Sequence, residues 1–255
     1  MPATRPDYFD QFPNLAFDRT DSGVLTVRFH TDGGPVVFTG DVHHQFPTAL
    51  AALSDDRDNK VLILTGTGDR FMTDIDGPSL GEIFKPSVWD PIVWEGRKVI
   101  ERLVDLPMPF IAAINGPATV HSEYVLLGDI TIAADTAEFR DDPHLGFGIV
   151  PGDGIHVIWE ELVGVNRARY YALTQAAVDA TTAERLGMVN EVVPPDQVVS
   201  RALELAEQLA AKPQLLLRYT PLALRQRLAR RMADGTKLGL ALEGLTAADL
   251  AYQAG

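Results

Sequence analysis

Residues 109–118 read PFIAAINGPA. Phe110 to Ile114 is short and continuously apolar, which predicts a strand covered on both faces, as in a parallel sheet. Asn115, Gly116 and Pro117 close it, because Asn and Gly accept turn conformations and Pro has no N–H to extend a ladder. Upstream, Val61 to Thr65 (VLILT) has the same character and runs into the loop GTGDRF. Val24 to Phe29 (VLTVRF) alternates apolar and polar residues, and predicts a strand with one solvated face. Gly33 and Gly34 turn it towards a second apolar run, Val36 to Phe38. Helical patterns over 41–53, with Asp41 as a possible N-cap, and over 89–106, ended by Pro107 and Pro109, complete two strand–strand–helix sets. Ile130 to Ala133 and Ala137 to Phe139 are further strand candidates, so a ββα unit is expected to repeat.

After Gly154 the pattern becomes helical: 155–162, 167–173, 182–186, 196–211, 214–231 and a last helix over 235–252 all fit a 3.6-residue period. No linker or low-complexity stretch interrupts the chain. The expectation is an α/β core over 1–195 with a helical C-terminal region over 196–255. Those helices are too apolar for free tails and should pack on a neighbouring subunit or back on the core.

A chain of 255 residues can bury a substantial core as one large domain or two modest ones. The net charge of −13 argues against nucleic acid and anionic membrane as partners, since both attract basic surface. With no cysteine, thiolate catalysis, disulfides and zinc–thiolate sites are excluded. The first residues lack the basic-then-apolar pattern of a secretory signal, and no apolar run approaches the ~20 residues that span a bilayer. A cytoplasmic location is expected.

Chemistry concentrates in Phe139 to Gly154, FRDDPHLGFGIVPGDG, where four glycines and two prolines enforce sharp turns. His144 stands nine residues before Asp153. An imidazole and a carboxylate held on such a segment can act as a general base on water, with Asp153 fixing the tautomer. The plainer alternatives are a loop histidine bonded to backbone and an aspartate capping the helix that starts near Ile155. Glu243, in LALEGLT on the last helix, is either a solvated charge or a half-buried carboxyl of raised pKa. His121 is either a helix-start histidine packed on the sheet or a donor to a substrate oxygen. His43 and His44 open the first helix. Phe38, Ile75, Ile83 and Phe84 are either core or the lining of an apolar pocket. His121, His144 and His156 with Asp153 can be drawn as metal ligands, but HExxH and comparable spacings are missing, so no metal is expected.

Several segments together resemble the crotonase (enoyl-CoA hydratase/isomerase) superfamily: VLILTGTGDRFMTDID at 61–76, PFIAAINGPA at 109–118, GDITIAADTAEF at 128–139, GIVPGDG at 148–154 and TAERLGMVNEVVP at 182–194. They follow the family's order and cover roughly residues 15–215. The resemblance implies an α/β spiral of repeated ββα units with a helical C-terminal region, assembled as a homotrimer or dimer of trimers. Within the superfamily, Pro143 to Trp159 (PHxxxGIVPGDGxHVxW), NRARYYALT at 166–174 and LGLALEGLTAADL at 238–250 are similar to 6-oxocamphor hydrolase and related β-diketone hydrolases. That subgroup adds water across the carbon–carbon bond between two ketones without coenzyme A or another cofactor.

The resemblance assigns His144, Asp153, Glu243 and His121 to catalysis, and Phe38, His43, Ile75, Ile83 and Phe84 to binding a small apolar diketone. Most crotonases carry an alanine–glycine pair within the loop 72–76 and glycines near 119–122, whose backbone N–H groups hold a thioester oxyanion. Here Val120 and His121 replace glycines and narrow that site. A CoA-dependent hydratase or thioesterase, and a catalytically silent oligomeric scaffold, are the alternatives.

Overall fold

The computed structural model describes residues 5–254. Ten strands, nine α-helices and three short 3-10 turns follow one another along these residues. The main sheet has six strands: β1 (Leu15–Arg19), β2 (Val24–Phe29), β4 (Val61–Thr65), β6 (Phe110–Ile114), β7 (Ile130–Ala134) and β10 (Glu191–Val193), in that order across the sheet. β1 pairs antiparallel to β2, and all other neighbours are parallel. A parallel β3 (Val37–Phe38) and β5 (Asp74–Ile75) and an antiparallel β8 (Glu138–Phe139) and β9 (Val178–Asp179) form two small outer sheets. Bridges from Met72 to Ala118 and from Ala118 to Phe139 link successive units and carry the spiral.

The main sheet is covered twice. Leu62, Leu64, Phe110 and Ala112 face the large core under α1 (Gly40–Asp55) and α2 (Pro86–Val104). Val61, Ile63, Ile111, Ala113 and Ile132 face Val198, Ala202, Ala206 and Ala210 of α8 (Val198–Ala210). Small residues at four-residue spacing let α8 lie close to the strands. This second cover corrects the expectation for β2: Val24 to Val27 is buried throughout, Thr26 included, because α8 closes the face that the alternation left to solvent. The N-cap of α1 also moves: Thr39 accepts from Val42 N at 3.3 Å, and Asp41 lies in the first turn.

Between the sheet and the C-terminus stand α3 (Glu123–Leu126), α4 (Pro143–Phe147), α5 (Ile155–Val163), α6 (Val165–Thr174) and α7 (Ala180–Leu186). The two helices expected over 214–252 are one, α9 (Gln214–Ala254). Nothing between 231 and 235 breaks it, since Gly235 keeps helical geometry where it meets Val157. α9 packs back on α2 and α5. Arg225 anchors it, donating to the carbonyls of Leu106 and Met108 and to Asp129 Oδ1 at 2.8, 3.0 and 2.7 Å. No helix of the described residues is long and apolar enough to cross a membrane.

Candidate active site

The turns of the 139–154 segment position its ionisable groups. Gly148 ends α4 at φ 78° and Gly154 starts α5 at φ 114°, conformations that glycine adopts without strain. His144 lies in the first turn of α4, three residues after Asp141. That spacing brings Asp141 Oδ1 to 2.7 Å from His144 Nδ1. Nε2 then faces Asp153 Oδ2 at 3.6 Å and Glu243 Oε1 at 3.7 Å. The orienting carboxylate of His144 is therefore Asp141, not Asp153. Asp153 accepts from Ile155 N at 3.2 Å, capping α5, and turns Oδ2 to His121 Nδ1 at 3.1 Å. It stands between the two imidazoles.

His121 precedes α3 with φ 50°, a left-handed geometry that costs a side-chain-bearing residue about 1 kcal/mol. Its Nδ1 also meets Glu123 Oε1 at 2.7 Å, and its ring lies between Phe38 and Tyr124, with centroids 4.2 and 4.7 Å away. Glu123 is completely buried. One oxygen each of Glu123, Asp153 and Glu243 is buried without a hydrogen-bond partner.

These groups close one end of a cavity of about 320 Å³. Phe38, His43, Ile75 and Ile83 line it, along with Ile92, Phe147 and Leu240. Phe84 is not among the lining residues and is 39% exposed. His43 is buried, its Nδ1 bound to Glu95 Oε2 at 2.8 Å. His156 stands outside this cluster, in a smaller cavity of about 220 Å³ behind Asp141.

Burial opposes a charge on His121, but Glu123 and Asp153 outweigh it and push the pKa up to about 10. His144 is likewise raised well above the usual histidine range: burial works against the charge, and Asp153, Asp141 and Glu243 overcome it. Burial would raise Asp153, yet the two histidines hold it far below the ordinary carboxylate range. Glu123 is lifted to about 7 by burial and by Asp153, and burial raises Glu243 as well. The cluster thus holds imidazolium beside carboxyl groups that retain protons unusually well, and its members titrate as a unit. Among the described residues, His121, Glu123 and Asp153 offer three ligand atoms within 4.8 Å of one another.

Over residues 19–253 the sequence matches the enoyl-CoA hydratase/isomerase family. The chain belongs to this family. A crotonyl-CoA hydratase of Syntrophomonas wolfei is 32% identical over 178 residues, covering 69% of this chain and 67% of its own. A solved enoyl-CoA hydratase/isomerase from Mycobacterium paratuberculosis superposes with a TM-score of 0.85 at 25% identity, over 92% of this chain and 94% of that one. Much nearer is ABDH, a β-diketone hydrolase from the cyanobacterium Anabaena sp. PCC 7120 bound to (S)-3-oxocyclohexyl acetic acid. It is 49% identical with a TM-score of 0.96, covering 97% of this chain and 99% of that one.

Relative to the family pattern, the glycine-rich loop near 119–122 is occupied differently. The N–H groups of Thr119 and Val120 both donate to Met72 O, at 3.0 and 3.1 Å, so neither is free to hold a substrate oxygen. The polar groups that face the cavity there are side chains. Asp141, Glu123, Tyr124 and Glu95 were not singled out in the sequence. Asp141 was findable as the acid three residues before His144 at a helix start, and Glu123 from HSE at 121–123. Glu95 belongs to another helix, and no local spacing connects it to His43.

Proposed function

We propose that the protein is a cofactor-independent hydrolase that opens cyclic or bicyclic β-diketones to keto acids. The observation that carries this reading is an apolar cavity with His121, Asp153, His144 and Glu243 gathered at one end. Two ketones offer few polar handles, and such a wall suits them. The ligand of ABDH is itself a keto acid, the class of product that water gives on opening a bicyclic 1,3-diketone.

The gap of 3.7 Å between His144 Nε2 and Glu243 Oε1 is too long for a direct bond and suits a water that touches both. Asp141 fixes the ring so that Nε2 faces this water. With His144 charged, the pair takes the water's proton on the Glu243 carboxylate, and the hydroxide oxygen adds to one carbonyl carbon. The tetrahedral intermediate collapses with cleavage of the bond to the central carbon, whose electron pair becomes an enolate. His121, charged and aimed by Glu123 and Asp153, donates to the ketone oxygen on which that charge develops. The proton held by the pair then goes to the enolate carbon, leaving a ketone and a carboxylic acid.

A thioester reading draws support from the hydratase relatives, but the bonds from Thr119 and Val120 to Met72 occupy two of the backbone N–H groups of that loop. The test is a panel of cyclic and bicyclic 1,3-diketones incubated with purified protein and no added metal or CoA. Loss of diketone absorbance with a mass gain of one water is expected. His144→Ala should lower turnover by about 10²–10⁴-fold while leaving the fold intact. Saturable turnover of an enoyl-CoA, with all diketones inert, would establish the thioester reading instead.

A further inference from the structure

Hydrolysis of a neutral diketone leaves a carboxylic acid, which ionises near neutral pH, so each turnover must export one proton. Asp153, Glu123, Glu243 and His144 are buried, His121 is nearly so, and they face one another. His43 is placed differently. It lines the cavity, and Gly96, also in the lining, leaves its Nε2 room: a Cβ there would lie 3.8 Å away. Its Nδ1 meets Glu95 Oε2 at 2.8 Å, and the other oxygen of the same carboxylate meets His44 Nδ1 at 2.6 Å. The His44 side chain is 73% exposed. A separate surface cleft between α1 and α2 is lined by His43, His44 and Glu95 together.

Adjacent residues of one helix ordinarily point in different directions. Here the first turn of α1 sends one imidazole inward and the next outward, and α2 supplies the carboxylate that joins them. Burial would raise Glu95, but the bonds from His43 and His44 hold it below the ordinary glutamate range, so it stands ready as an acceptor.

We propose that His43, Glu95 and His44 form a proton relay from the cavity to solvent. The inference rests on the hydrolase reading above. A proton from the product carboxyl binds His43 Nε2, and the Nδ1 proton passes to Glu95. Exposed His44 first exchanges with solvent, losing its Nδ1 proton and taking one at Nε2; rotation of the Glu95 carboxyl then presents its proton to the bare Nδ1, and the Nε2 proton leaves to water or buffer. No bond other than to hydrogen is made or broken, and the histidines return to their starting tautomers by ring rotation or the reverse hop.

Glu95 and His44 touch no substrate and act through His43, so the test reads proton export and not binding. His44→Gln keeps an amide that can bond to Glu95 but cannot carry a proton. In weakly buffered solution its kcat on the best diketone should fall about tenfold with kcat/KM little changed. Added imidazole should restore kcat in a concentration-dependent way, with no such response in the wild type. Glu95→Gln should show the same loss with weaker rescue. Wild-type kcat for His44→Gln at low buffer, or a loss that imidazole leaves untouched, would overturn the relay and place proton exit elsewhere, past Asp141 or through the cavity mouth. A wild-type protein inert towards every diketone would overturn the hydrolase reading itself, and the relay with it.

Discussion

Asp141 shows how much one carboxylate can decide. Its bond to Nδ1 helps hold the charge on His144 and aims Nε2 at Glu243. Asp141→Asn retains the shape but removes the carboxylate charge beside Nδ1, so His144 gives up its proton more readily and the charge beside Glu243 is lost. Steady-state kinetics should show kcat reduced by about a hundredfold or more with KM little changed. His121 sets the alkaline side. With its pKa raised to about 10, it stays charged far beyond the ordinary range of histidine, so the alkaline limb of kcat/KM should lie near that value. His121→Gln should flatten that limb as well as slow the reaction.

The same groups couple stability to pH. His121 binds its proton more tightly in the folded state, so its contribution is complete below about pH 6.5 and is lost as pH rises towards 10. Glu123, raised to about 7, likewise favours the folded state at low pH and loses that contribution between about 4.5 and 7. Both make the folded protein bind more protons than the unfolded chain. Melting temperature should therefore decline from slightly acid to alkaline pH, and Glu123→Gln should remove the acid-side part of the decline.

At the scale of elements, α9 brings Glu243 to the site because glycines permit its approach. A Cβ on Gly239 would lie 2.2 Å from Gly152 O, and one on Gly244 2.2 Å from Trp89 Nε1. Trp89 in turn donates to Leu240 O at 3.2 Å, joining α2 to α9 beside the cavity. Helix propensity alone says that Gly239→Ala stabilises by about 1 kcal/mol. Contact with a backbone oxygen, which cannot swing aside, reverses that sign. Thermal unfolding of Gly239→Ala should show a lower melting temperature, and turnover should fall because Glu243 lies one turn further along the displaced helix.

At the scale of the molecule, α6 and α9 leave large apolar side chains in solvent. Leu173 is 74% exposed, Tyr219 64%, Leu224 76% and Leu245 66%. Side chains of this size on two helices fit burial against further copies of the chain, and we retain the homotrimer or dimer of trimers as the proposed assembly. Sedimentation should give a mass three or six times that of the 27.8 kDa chain. A monomer at micromolar concentration would exclude it.

The strands Val61–Thr65 and Phe110–Ile114 were legible to the residue, because an unbroken apolar run bounded by turn residues has few other uses. The helical periods after Gly154 were equally plain, and the motifs from 61 to 194 led to the family. His144, Asp153, Glu243 and His121 were singled out chiefly through the resemblance to the β-diketone hydrolases, because on local pattern alone each had an ordinary structural use. What remained hidden were relations between distant segments: the second cover over β2, the short strands β1, β9 and β10, the continuity of α9, and the pairing of His43 with Glu95. β9 and β10, of two and three residues, carry little periodicity, and hydrogen-bond partners on separate helices share no spacing. The residue types determined which chemistry was available; only the packing of α2, α4, α5 and α9 around one cavity decided which imidazole faces which carboxylate, and so which of them hold a proton.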